Sequence, residues 1–139
     1  DLHRRRHSFP TRRSSDLTVD VLMKRGLEYQ QENDLEGARD AFDRAIALKP
    51  DYAEAWNRRA TLFFNDGKYD EAIADLESAL TYEPRHFGAW IGLAMIFESI
   101  DRPEAALRAY EKALAIHPHA QAAVQAKKRL EKAVNGSAL

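Results

Sequence analysis

Residues 53–84 read AEAWNRRATLFFNDGKYDEAIADLESALTYEP, and the same pattern recurs 34 residues upstream and 34 residues downstream. Pro50, Pro84 and Pro118 mark that period. Sliding the chain by it superposes Ala38, Ala72 and Ala106, then Phe42, Leu76 and Tyr110, then Ala45, Ala79 and Ala113. Further columns hold Leu22, Trp56 and Trp90, then Gly26, Ala60 and Ala94, then Tyr29, Phe63 and Phe97. Self-similarity at one fixed period marks a repeat architecture, so the chain reads as three copies of one unit.

Each unit predicts two helices. The first, at about 19–32, 53–65 and 87–99, sets Trp or Leu two turns before an aromatic on one face. Gly26, Ala60 and Ala94 between them let a neighbouring helix come close, because large side chains would hold the axes apart. Asn33, Gly67 and Asp101 stand between paired helices and are types that tolerate left-handed backbone. Glu36, Asp70, Glu71 and Glu104 open the second helices, where acids favour the positive end of the helix dipole. Pro103 suits a first-turn position, and each second helix must end before its repeat's proline, whose ring cannot continue the ladder.

A 34-residue unit reading W-x-x-L-G-x-x-Y, then Ala, an aromatic or Leu, Ala and Pro, resembles the tetratricopeptide repeat over residues 18–134. One column departs, with Arg25 and Arg59 where the family has Leu and only Leu93 keeping it; an arginine's aliphatic stem can cover the same apolar surface. The resemblance implies an all-α, right-handed superhelical solenoid of three helix pairs (about 19–52, 53–86 and 87–120). Residues 120–134 are expected to form a C-terminal capping helix, with Lys128 and Glu131 making its outer face wettable and Asn135-Gly136 ending it. The wording of the repeats also resembles a bacterial type whose members are expected to be exported, which favours a periplasmic over a cytoplasmic location.

The chain of 139 residues is 45% apolar and 31% charged, the profile of a globular domain. Its 21 Lys and Arg against 22 Asp and Glu give no overall pull toward nucleic acid or anionic membranes. Without cysteine, disulfides, thiol nucleophiles and thiolate metal sites are excluded. No apolar run is long enough to span a bilayer. Residues 1–17, DLHRRRHSFPTRRSSDL, carry five Arg and two Asp and lack apolar periodicity. They are expected to be disordered, and the string resembles the translation of a common sequencing adapter, which implies an artefact of the gene sequence.

In such a solenoid the first helices line the concave side. Projection places Met23, Leu27, Asn57, Arg58, Thr61, Phe64, Gly88, Ile91, Gly92 and Met95 in that groove, with Met23, Leu27, Phe64, Ile91 and Met95 as an exposed apolar strip of the kind that marks binding sites. Gly88 and Gly92 allow two readings, close approach of a partner's backbone or packing within the protein. Family members that grip a C-terminal carboxylate use Lys, Asn and Arg, whereas the corresponding positions here hold Met23, Leu27, Arg58, Gly88 and Gly92, so that clamp is not expected. His86, His117 and His119 read as solvated loop residues, Asp70, Glu71 and Asp75 as a solvated face, and Lys127, Lys128, Arg129 and Lys132 as a solvated cap. No cofactor, metal or catalytic residue is expected. The function these readings support is a non-catalytic module that binds a partner's peptide or helix. The alternative is a self-assembling solenoid whose groove takes a second copy or its own preceding segment.

Overall fold

The computed structural model describes residues 14–137, and those residues form helices joined by short connections. In chain order they are α1 (Ser14–Gln31), α2 (Leu35–Leu48), α3 (Ala53–Asn65), α4 (Tyr69–Tyr82), α5 (Phe87–Ser99), α6 (Pro103–Ile116) and α7 (Gln121–Ser137). Helix contacts divide them into two compact units, one ending at Pro50 and the other beginning at Asp51. None of these helices is long and apolar enough to cross a membrane.

Three turns of one kind close the helix pairs. Asn33, Gly67 and Asp101 take φ of 60°, 74° and 58°. Behind them the N–H groups of Asp34, Lys68 and Arg102 reach back to the carbonyls of Tyr29, Phe63 and Phe97 at 2.8, 2.8 and 2.7 Å. This is the Schellman closure, which satisfies carbonyls that the helix end would otherwise orphan. The second helices end as the prolines require. Lys49, Glu83 and His117 cap them, each donating its N–H to the alanine four residues back, at 2.8–2.9 Å.

In the first unit, α1 and α2 pack on the stripe Val19, Met23 and Gly26, met by Ala38, Ala41, Phe42 and Ala45, all buried. Gly26 is small because Phe42 fills its space: a Cβ there would lie 2.7 Å from Cζ of the ring. The second unit repeats the scheme with Ala60 and Leu76, then Ala94 and Tyr110, in the same columns, all buried. There α5 packs against both α3 and α4, and α7 against α6 through Ala123, Ala126 and Leu130.

Three expectations change. Helix α1 begins at Ser14, so residues 14–17 are helical and Asp16 pairs with Lys49 at 3.5 Å; the rest of the segment expected to be disordered lies outside the described residues. Extending a helix already nucleated costs little, so apolar periodicity is not needed for its first turn. Helix α7 likewise runs through Asn135 and Gly136 to Ser137, since glycine permits a left-handed cap without requiring one. Trp90, placed in the core by its column, is only partly buried, and its indole N–H donates to the Pro84 carbonyl at 3.0 Å.

Candidate functional site

Helices α3 and α5 stand side by side and leave between them a groove of about 230 Å³. Its floor is Ala60, Leu76 and Ile96, all buried. One wall carries Asn57, Thr61, Phe64 and Asn65 of α3, and the other carries Gly88, Ile91, Gly92 and Met95 of α5. Met95 is 45% exposed. Seven of the ten residues placed in the groove by sequence therefore line one depression: Asn57, Thr61, Phe64, Gly88, Ile91, Gly92 and Met95.

The remaining three lie elsewhere. Met23 and Leu27 belong to the first unit; Met23 is 7% exposed, because its spacing from Val19 and Gly26 sets it on the buried stripe of α1, and Leu27 is half-buried. Neither offers the exposed apolar surface expected of it. Arg58 is outside the groove lining and pairs with Glu54 one turn back at 2.7 Å. Of the two readings of the glycines, Gly92 supports internal packing: a Cβ there would lie 3.2 Å from Leu76, against α4. At Gly88 it would meet His86 at 3.2 Å and Asn57 at 3.4 Å.

His86 is not a solvated loop residue. Its Nδ1 accepts the Ala89 N–H at 3.0 Å and caps α5, while its Nε2 lies 2.8 Å from Glu54 on α3. With Nδ1 accepting, Nε2 carries the proton and donates. The chain Arg58–Glu54–His86 thus ties the two walls together at one end of the groove. The hydrogen bond from His86 holds the Glu54 carboxyl below its ordinary value against the opposing effect of burial, with Arg58 reinforcing it. His117 lies edge-on to Phe87, with ring centroids 4.8 Å apart, and His119 is exposed. Among the described residues no cluster of three metal-ligating side chains occurs.

Asp75 and Arg129 also depart from expectation. Asp75 is 4% exposed and receives Nε and Nη2 of Arg59, each at 2.8 Å. The guanidinium lies over Trp56, 5.1 Å from the ring centroid. The signal was in the columns, because the acid stands where the other repeats have Ala41 and Ala109, opposite an arginine in a leucine column. Arg129 of α7 donates from Nη1 to Oε2 of Glu98 at 2.8 Å, and the Tyr110 hydroxyl donates to Oε1 at 2.8 Å, so one carboxylate ties α5, α6 and α7. Tyr110 is the one hydroxyl in the column of Phe42 and Leu76, and a buried hydroxyl needs such a partner.

Arg129 holds the Glu98 carboxyl below its ordinary 4.5, against the effect of burial, with Tyr110 assisting. A carboxylate lowered by folding contributes stability that is complete above its unfolded pKa and lost as pH falls through the folded one. The stability gap between the wild type and Glu98→Gln is therefore expected to narrow as pH drops below about 4.5. Thermal melts across that range check this, and a gap independent of pH would refute the assignment.

The sequence profile of the tetratricopeptide repeat matches residues 23–79 and 57–121. A TPR repeat-containing protein of Rhizobium etli is 45% identical over 105 residues, covering 76% of this chain and 52% of that protein. The small glutamine-rich tetratricopeptide repeat-containing protein 2 of Saccharomyces cerevisiae is 31% identical over 120 residues, covering 82% of this chain and 35% of its own length. The chain thus spans about half or less of these curated relatives. Among solved structures, the first TPR domain of Spaghetti (RPAP3), bound to the HSP90 peptide SRMEEVD, is similar with a TM-score of 0.81 at 19% identity, covering 86% of this chain and 97% of that one. The second TPR domain of human RPAP3, in complex with the HSP70 peptide SGPTIEEVD, has a TM-score of 0.78 at 21% identity, covering 86% and 99%. Those likenesses establish the fold. With the repeat profile matching across most of its length, the chain belongs to the tetratricopeptide repeat family.

Proposed function

We propose that this chain is a non-catalytic interaction module that holds a segment of a partner protein in the α3–α5 groove. The observation that carries this is the groove itself, a depression over a buried apolar floor with Met95 exposed on its wall, since exposed apolar surface of this kind marks binding sites. At about 230 Å³ it falls below the ~300–1,000 Å³ usual for small-molecule sites and suits a few side chains better than a cofactor. Similar solved domains are described as bound to HSP90 and HSP70 peptides. Glu54 and Glu98 are themselves poorly suited to acid–base work, because protein donors hold both carboxyls below their ordinary value, whereas a general acid or base needs a pKa near the working pH.

Met95→Arg tests the proposal by putting a long charged side chain into the groove from an exposed position. Gly92→Arg is less clean, since its Cβ would press on Leu76. The variant is expected to keep the wild-type melting temperature within a few degrees and to lose the partners captured by immobilised wild type. An unchanged set of captured partners would remove the groove from the function. If a second copy fills the groove instead, light scattering should show a change of oligomeric state in the same variant.

A further inference from the structure

We infer that the first repeat carries a carboxylate-binding site of its own, a pocket between α1 and α2 in which Arg25 takes an Asp or Glu side chain of a different protein, as Arg59 takes Asp75 one repeat later. The site is separate from the α3–α5 groove and does not depend on the function proposed for it.

The repeat columns carry the first part of the argument. The second repeat sets Arg59 against Asp75, and the third sets Leu93 against Ala109. Each is a matched pair, charge with counter-charge or apolar with apolar. The first repeat combines the arginine of one with the alanine of the other, Arg25 with Ala41. Ala41 and Asp75 are each 4% exposed, and the same left-handed turn closes both helix pairs, at Asn33 and at Gly67. Residue 41 therefore stands to residue 25 as residue 75 stands to residue 59.

The space a carboxylate would fill is open. A pocket of about 250 Å³ is lined by Leu22, Arg25 and Tyr29 of α1 and by Ala41 of α2. Leu22 and Tyr29 occupy the columns of Trp56 and Phe63, over whose rings the Arg59 guanidinium lies in the second repeat. Asp40 and Arg44, also in the lining, pair with each other at 3.1 Å. Arg25 is exposed and has no partner among the described residues, so the lining holds one uncompensated charge, and it is positive.

Chemistry narrows the ligand. A guanidinium presents parallel N–H groups that match the two oxygens of a carboxylate, the geometry that Arg59 and Asp75 form with both bonds at 2.8 Å. An exposed ion pair by itself contributes little in water. A small free carboxylate would therefore be held weakly. An acidic side chain on a protein surface also brings apolar neighbours onto Leu22 and onto Val21, which is 57% exposed at the same pocket.

The probe is a library of random dodecapeptides with blocked C-termini, panned on wild type and counter-selected on Ala41→Asp. That substitution supplies the carboxylate from within the chain, at a position where the second repeat already folds around an aspartate. Expected are clones that share one Asp or Glu beside apolar residues. Their synthetic peptides should lose about tenfold or more in affinity when that acid becomes its amide, and equally against Arg25→Gln, a change at an exposed position. Arg25→Lys should also weaken them, because an ammonium keeps the charge without the paired donors. Binding to Met95→Arg should match wild type, which separates this site from the groove. Selected peptides without an acid, undiminished binding to Arg25→Gln, or a library with no clone that tells wild type from Ala41→Asp would each overturn the inference. Self-association of the wild type that disappears in Arg25→Gln would make the occupant a second copy and overturn its assignment to a different protein. All of these results leave the function proposed for the α3–α5 groove standing.

Discussion

Arg59→Leu alone is expected to destabilise the protein by about 3–5 kcal/mol, and adding Asp75→Ala to the same chain should restore most of that loss. The single change strands a carboxylate whose side chain is 6% exposed, after removing both guanidinium hydrogen bonds that compensate it. Breaking a buried pair from one side costs that much because the remaining charge has neither water nor partner. The double variant places in the second repeat the pair the third already uses, Leu93 opposite Ala109, both buried. Leucine can then pack against Trp56 and Phe63, where the guanidinium now lies 5.1 and 5.7 Å from the ring centroids. Urea denaturation of the wild type, both single variants and the double variant closes the cycle. A double variant no more stable than Arg59→Leu would show that the two repeats do not share interchangeable core pairs.

That exchange depends on the same feature that made the fold legible. The 34-residue columns name the residues that pack in each pair, and α3 and α5 fall at 53–65 and 87–99 as the spacing predicts. Turn residues were equally readable, since Asn33, Gly67 and Asp101 serve one backbone conformation. Polar contacts between helices were not. His86 looks like any residue of a repeat-boundary loop until α3 brings Glu54 within 2.8 Å of it, and Glu98 gains its role only when α7 delivers Arg129. Helical periodicity reports which face a residue shares with its own helix, and it carries no information on the charge opposite. Met23 departs for a different reason: its column matches the groove residues Asn57 and Ile91, but its spacing from Val19 and Gly26 within α1 sets it on the buried stripe of that helix.

The second large effect lies in the first unit. Phe42→Ala is expected to cost about 3–5 kcal/mol, as the loss of a fully buried aromatic side chain generally does. Gly26→Ala tests the same contact from the other side. Helix propensity alone favours alanine over glycine by about 1 kcal/mol. Packing opposes it, because the new methyl would lie 2.7 Å from Cζ and 2.8 Å from Cδ1 of the Phe42 ring. Overpacking of a close-packed core costs about 1–3 kcal/mol, so the net change should be destabilising. Phe42→Leu in the Gly26→Ala background reproduces the Ala60 and Leu76 pair of the second repeat and should relieve the clash, leaving a protein more stable than either single variant. Thermal and urea melts of the three variants decide the matter. If Gly26→Ala proves stabilising by itself, the ring of Phe42 does not occupy the space that keeps residue 26 a glycine, and the size matching between the two columns fails with it.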